Sequence, residues 1–294
     1  MSIILAIESS TDTASVALHY REPTLAGQEA GRLSRQVSGV RTHSQTVLPM
    51  VQALLAQAGI GLSQCDALAF GAGPGSFTGV RTACGIAQGL AYGSDLPIVA
   101  VDTLAAAALA CREAMHHAET GKANNRNSAG DASNEHNNNN ENGATTTQDI
   151  LVVVDARMGE VYWGQYRWSQ KIAAVTDGDI GAGANRDVVG PWQVVIAPRL
   201  SMPADVMPVG VVTACGNAFA MHEEALAAAL ATSAVAKTSW PAIMPHATQI
   251  AILAQQLFAE GKAVAARDAQ PFYLRNEVAL TTAERARKQQ EAAL

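Results

Sequence analysis

The stretch ILVVVDARMGEVYWGQYRW, residues 150–168, decides how this chain is read. An unbroken apolar run, an acidic residue, a polar turn and an alternating strand form the pattern of an antiparallel hairpin. Its first strand is apolar throughout, as a strand buried on both faces must be. The same order occurs once before. Residues 3–7 (IILAI) are apolar, Glu8 interrupts them, ESSTDT is a polar turn and ASVALHY has β character. A second echo follows each hairpin: VGVVTACGNAF (209–219) repeats the order of ALAFGAGPGSF (67–77), an apolar strand, small residues, glycine and then a helix.

Between these landmarks the first half predicts strand, strand, a third strand somewhere in 24–37, then helix, strand, helix, strand, helix. HSQTVLPMVQALLAQAG puts Val47, Val51, Leu54, Leu55 and Ala58 on one helical face, with Gly59 as its stop. Pro49 suits a first turn, so regular helix is expected over about 46–58. DALAF predicts a short strand, 77–92 a helix and PIVAV a strand. DTLAAAALACREAM predicts a third helix, capped by Asp102 or Thr103. That order is ribonuclease H-like, and two copies in one chain are the plan of the actin-like (ASKHA) fold. The expectation is an α/β chain of two lobes, 1–118 and 150–280, with a helix of the second half free to return to the first lobe. Residues 119–149 hold no aromatic and no large aliphatic side chain, and are expected to be an Asn-rich disordered insertion. Residues 281–294 are expected to be a flexible tail.

Charge and cysteine usage narrow the function. A net charge of −6 argues against a protein that grips nucleic acid alone, since phosphate binding needs a basic face. Cys65, Cys84, Cys111 and Cys215 form no CxxC pair, the usage of a reducing compartment. MSIILAIESS has no basic leader region and its apolar run stops at Glu8, so neither a signal peptide nor a membrane span is expected, and a cytoplasmic location is.

The glycine-rich loop 71–79 has two readings. One is a phosphate cradle, with Gly73, Gly75 and Ser76 at a helix N-terminus and Ser9, Ser10 and Thr11 opposite as candidates for weak nucleotide contacts. The other is a tight strand-to-helix turn. The loop lacks GxxxxGK[ST] and any lysine, which favours the turn. Glu8 and Asp12 suit magnesium, or equally a hairpin that satisfies its own backbone. Beyond it, Gly79, Ala83, Ala87 and Ala91 form one ridge of small residues, and Arg81, Gly85 and Gly89 a neighbouring one, with Ile86 and Leu90 as apolar contacts. Such ridges let helices approach closely, either internally or at a subunit face. His43, His222 and His246 are isolated and read as capping or surface histidines. His116, His117 and His136 read as solvated. Asp155-Ala156-Arg157 reads as an ion pair or turn device. There is no HxxxH, HExxH or GxSxG.

ILAIESSTDTASVAL, GPGSFTGVRTACGIAQGLA, VDTLAAAAL, DARMGEVYW and PFYLRNEVA, in this order, resemble the TsaB (YeaZ) family over nearly the whole chain except 119–149 and the last dozen residues. The resemblance implies a bacterial actin-like protein needed to make threonylcarbamoyladenosine at position 37 of tRNA. The related TsaD carries the catalytic site, with metal held by two histidines of an HxxxH motif just after the fifth strand. Here Thr103 and Ala107 occupy those positions, and neither can replace an imidazole. The family therefore implies a non-catalytic scaffold subunit without a cofactor. It would bind TsaD directly, support TsaE in the assembly, pair with itself when alone and meet tRNA only through the complex. The expected partner face is Val47, Val51, Leu54, Gly79, Ala83, Ile86, Ala87 and Leu90. The competing reading is an enzyme in its own right, a metallopeptidase or an ATP-dependent carbamoyl transferase.

Overall fold

The computed structural model describes residues 2–20, 31–39, 43–127, 145–171, 192–231 and 235–275. The first half runs β1 (Ile3–Glu8), β2 (Thr13–Tyr20), β3 (Gly31–Ser38), α1 (His43–Ala58), β4 (Ala67–Gly73), α2 (Phe77–Ser94), β5 (Ile98–Asp102) and α3 (Thr103–Asn127). Its sheet has the order β3-β2-β1-β4-β5, with β1 antiparallel to β2 and parallel to β4. The second half runs β6 (Thr145–Arg157), β7 (Glu160–Lys171), β8 (Trp192–Ser201), β9 (Val212–Cys215), α4 (Ala218–Met221), α5 (Glu223–Leu230), β10 (Val235–Trp240) and α6 (Ala247–Ala259). Its order, β8-β7-β6-β9-β10, repeats the first. The repeated hairpin grammar is thus a repeated sheet: β6 pairs antiparallel with β7 and parallel with β9.

The repeat is unequal in its connections. Where the first half places the 16-residue α1 between its third and fourth strands, the second has only the 3-10 turn Pro203–Asp205. The layers run α1 and α2, first sheet, α3 and α6, second sheet, then α4 and α5. Ile4, Ala6 and Val99 of the first sheet share one buried cluster with Ile150, Val152 and Tyr166 of the second, through α3 and α6. Although α6 follows the second sheet in sequence, it docks on the first. The Ala247 N–H donates to Ser15 Oγ (2.9 Å), and Gln255 Nε2 donates to the Ser2 carbonyl (3.1 Å).

Two boundaries differ from the sequence reading. Helix α1 begins at His43, so Pro49 lies inside it rather than in its first turn. An interior proline costs about 3 kcal/mol. Burial of Val47, Val51 and Leu54, each no more than 2% exposed, offsets this at about 1.5 kcal/mol or more per side chain. The segment 119–149 is narrower than expected as an insertion, because α3 continues to Asn127 and β6 starts at Thr145. The polar 145–149 stretch gains order as a ladder on β7, Thr145 opposite Lys171 and Asp149 opposite Arg167. Residues 128–144, His136 and the tail lie outside the described residues. Among the described residues no helix is long and apolar enough to cross a membrane.

Candidate functional site

In a sheet of this order ligands bind beyond the carboxyl ends of the strands, where the first hairpin turn faces the β4–α2 loop. Here that space holds the chain itself. Glu8 is fully buried, its Oε1 accepting from the Ser10 N–H (2.5 Å), and a Cβ on Gly71 would land on its Oε2. Gly79 is glycine for the same reason, since a Cβ there would land on the Ser9 carbonyl. Ser9 Oγ donates to the Gly79 carbonyl (2.8 Å), and the Ser76 N–H donates to the Ser10 carbonyl (2.7 Å). Ser76 also caps α2, its Oγ accepting from the Gly79 N–H. Gly73 (φ +111°) lies against the Phe272 carbonyl, 2.7 Å from where its Cβ would be. The candidate nucleotide contacts Ser9, Ser10, Gly73, Gly75 and Ser76 therefore touch one another or the chain. Thr11 Oγ1 accepts from the Thr13 N–H (3.2 Å) within its own hairpin. The glycines serve close approach of the hairpin and the chain end.

Burial shapes the charges beneath this loop. It pushes the Glu8 carboxyl up to about 7, although Ser10 pulls it down. Glu8 Oε2 has no hydrogen-bond partner among the described residues, which suits a protonated acid. Asp102 is the side-chain cap of α3, accepting from the Leu104 N–H (2.9 Å) as expected. Its second oxygen accepts from Tyr166 Oη of the other lobe (2.5 Å). Burial raises Asp102 to about 6, and the tyrosine and two backbone N–H groups pull it down. Thr103 is fully buried and donates to the Pro74 carbonyl (2.5 Å), while Ala107 is buried in the shared core. Among the described residues no three His, Cys, Asp or Glu side chains lie together as metal ligands.

At the second hairpin, Arg157, Met158 and Gly159 all have positive φ (62°, 58° and 79°), so this stretch is a turn device. Asp155 pairs with His222 (3.0 Å), and its N–H donates to Asn217 Oδ1 (2.9 Å). His222 is thus half-buried and paired, not a side-chain cap. His246 does cap α6, Nδ1 accepting from the Thr248 N–H (3.2 Å), and burial lowers its pKa.

The expected partner face needs correction. Val47, Val51, Leu54, Gly79, Ala83 and Ala87 all point inward, and the five other than Gly79 join the cluster between the two helices and the first sheet. The ridge of Gly79, Ala83, Ala87 and Ala91 lets α2 lie close on β1 and β4, so its small size serves the core. Ile86 and Leu90 are half-buried at the margin. What faces outward is the neighbouring ridge: Phe77 (55% exposed), Arg81, Gly85, Gly89, Tyr92 (85%) and Gly93, with Leu48 of α1 (42%) beside it. A Cβ on Gly85, Gly89 or Gly93 would meet nothing within 4 Å. Arg81 stacks on the Phe77 ring (3.7 Å) and donates to Tyr273 Oη (2.8 Å). Sequence reasoning missed Asp102–Tyr166 and the Arg81–Tyr273 contact. PFYLRNEVA was the only signal for the second, because pairing across 192 residues leaves no local period.

Comparison with known proteins finds relatives over most of the chain. A family model described as TsaD, tRNA N6-adenosine threonylcarbamoyltransferase, matches residues 33–120, the stretch that holds α1 and α2. The tRNA threonylcarbamoyladenosine biosynthesis protein TsaB of Haemophilus influenzae is 32% identical over 278 residues, 94% of each chain. The protein of that name from Escherichia coli is 33% identical over 94% of this chain and 96% of its own. Among solved structures, YeaZ from Pseudomonas aeruginosa has a TM-score of 0.65 and 29% identity over 93% of this chain and 100% of its own. Another Pseudomonas aeruginosa structure, described as similar to peptidase YEAZ, has a TM-score of 0.66 and 30% identity over 94% of this chain and 100% of its own.

Proposed function

The chain belongs to the TsaB family of tRNA threonylcarbamoyladenosine biosynthesis proteins, and on that premise we propose that it is the non-catalytic scaffold subunit of the modification system. It binds TsaD directly, supports TsaE in the assembly, pairs with a second copy when alone and meets tRNA only through the complex, in the cytoplasm. The observation that carries this reading is the close packing at the crevice: Glu8, Ser9, Ser10 and the Phe272 carbonyl lie against the glycines of the 71–79 loop, whose neighbouring polar groups are spent on the chain itself. Thr103 and Ala107, at the positions the family resemblance assigns to metal-binding imidazoles, support it. One gives its hydroxyl to the Pro74 carbonyl and the other is a methyl in the core.

The partner face is the outward side of α1 and α2. Its glycine row lets a helix backbone approach closely, and Phe77, Tyr92 and Arg81 are the residue types that anchor interfaces. The match of 33–120 to the TsaD model supports pairing through like faces, since related chains share α1 and α2. The test is a single-subunit assay beside reconstitution, with threonylcarbamoyl-adenylate and unmodified tRNA supplied. The chain alone should give no modified tRNA and should raise the yield only with TsaD and TsaE present. Modified tRNA from this chain alone, with TsaD excluded by mass spectrometry, overturns the reading in favour of an enzyme.

A further inference from the structure

We infer that residues 264–275 form a clasp that couples the outer end of α2 to the second lobe's hairpin. After α6 the chain pairs with the edge of the first sheet, the Ile98 N–H donating to the Val264 carbonyl (2.8 Å) and the Val264 N–H to the Ile98 carbonyl (2.9 Å). It then crosses α2, where Gln88 Nε2 donates to the Ala269 carbonyl (2.9 Å). At the crevice the Phe272 N–H donates to the Ala72 carbonyl (2.7 Å). Tyr273 next receives Arg81 Nε, and its ring packs on Phe77 at 5.5 Å between centroids.

Two residues later the chain has changed lobes. Arg275 forms an ion pair with Glu160 (2.6 Å) and donates to the Ala156 carbonyl (3.1 Å), at the two ends of the positive-φ turn. Two residues of extended chain span at most about 7 Å, so a short covalent path joins the Tyr273 and Arg275 anchors. A shift at either anchor can thus be passed to the other. The near anchor is reachable from solvent, with Tyr273 39% and Phe77 55% exposed, and the far anchor is a partly exposed ion pair of modest strength. Releasing it frees the Ala72 carbonyl and the Gly73 backbone that Phe272 now covers. This inference stands whether or not the chain binds TsaD.

Hydrogen exchange by mass spectrometry on the full chain tests it. Arg275→Gln should speed exchange at 155–162 by roughly twofold to fivefold, as loss of one such ion pair allows. It should also speed exchange at 76–84, on the other lobe. Tyr273→Phe should act in the opposite direction, speeding exchange at 155–162. If each change stays on the lobe of the mutated anchor, or no change is seen, the clasp is overturned; propagation in one direction only overturns it equally. Where Arg275→Gln shows no cooperative melt, the Tyr273→Phe result decides alone.

Discussion

Glu8 is where pH enters this molecule. Its folded pKa of about 7 lies above the ordinary carboxylate value of 4.5, and burial is the cause. The native state therefore holds the proton more tightly than the unfolded chain. Stability from this group is complete below about pH 4.5 and is lost as pH rises to about 7, by up to a few kcal/mol. Glu8→Gln keeps an oxygen for the Ser10 N–H and removes the ionisation. The fall in melting temperature between pH 5 and pH 8 should be smaller in Glu8→Gln than in the parent. Equal falls in calorimetry would show that Glu8 ionises outside this window. Glu8 was legible in the sequence as the acid that ends an apolar run, but not as a buried one. Its burial depends on Gly71, 63 residues away, having no side chain.

At the scale of the element, α2 separates what a periodic pattern tells from what it withholds. The two ridges of small residues were legible, and so were the doubled hairpins and the strand order they imply. Which ridge faces the sheet was not, because alanine and glycine suit a tight core contact as well as a tight external one. Only the neighbouring sheet decides, and it takes the ridge of Ala83 and Ala87. The two ridges therefore predict opposite phenotypes. Ala83→Leu should overpack the core and cost about 1–3 kcal/mol in urea unfolding, without any partner present. Gly89→Arg meets open space and replaces a helical glycine, so the monomer should be as stable as the parent or up to about 1 kcal/mol more stable. It should nonetheless lose co-purification with TsaD. Retained binding in Gly89→Arg would place the partner elsewhere. The start of α1 was misread because a proline rule was applied without knowing how much the helix buries.

The whole molecule is held by a core that belongs to neither half alone. Strands β1, β4 and β5 share a cluster with β6 and β7 through α3 and α6, so the two lobes should melt together. All four tryptophans (Trp163, Trp168, Trp192 and Trp240) lie in the second half. Tryptophan fluorescence therefore reports that half, while far-UV circular dichroism reports both. The two melting curves should superimpose, and two separated transitions would show lobes that unfold independently.

The missing counterpart of α1 matters beyond the second lobe's own cover. Had both halves carried the same pair of outer helices, each molecule would have offered two like faces and could have joined neighbours without end. With Pro203–Asp205 in place of a 16-residue helix, the doubled fold is left with one such pair of outer helices. On the partner face proposed above, a single twin or paralogue would cap the molecule, and association would stop at a pair.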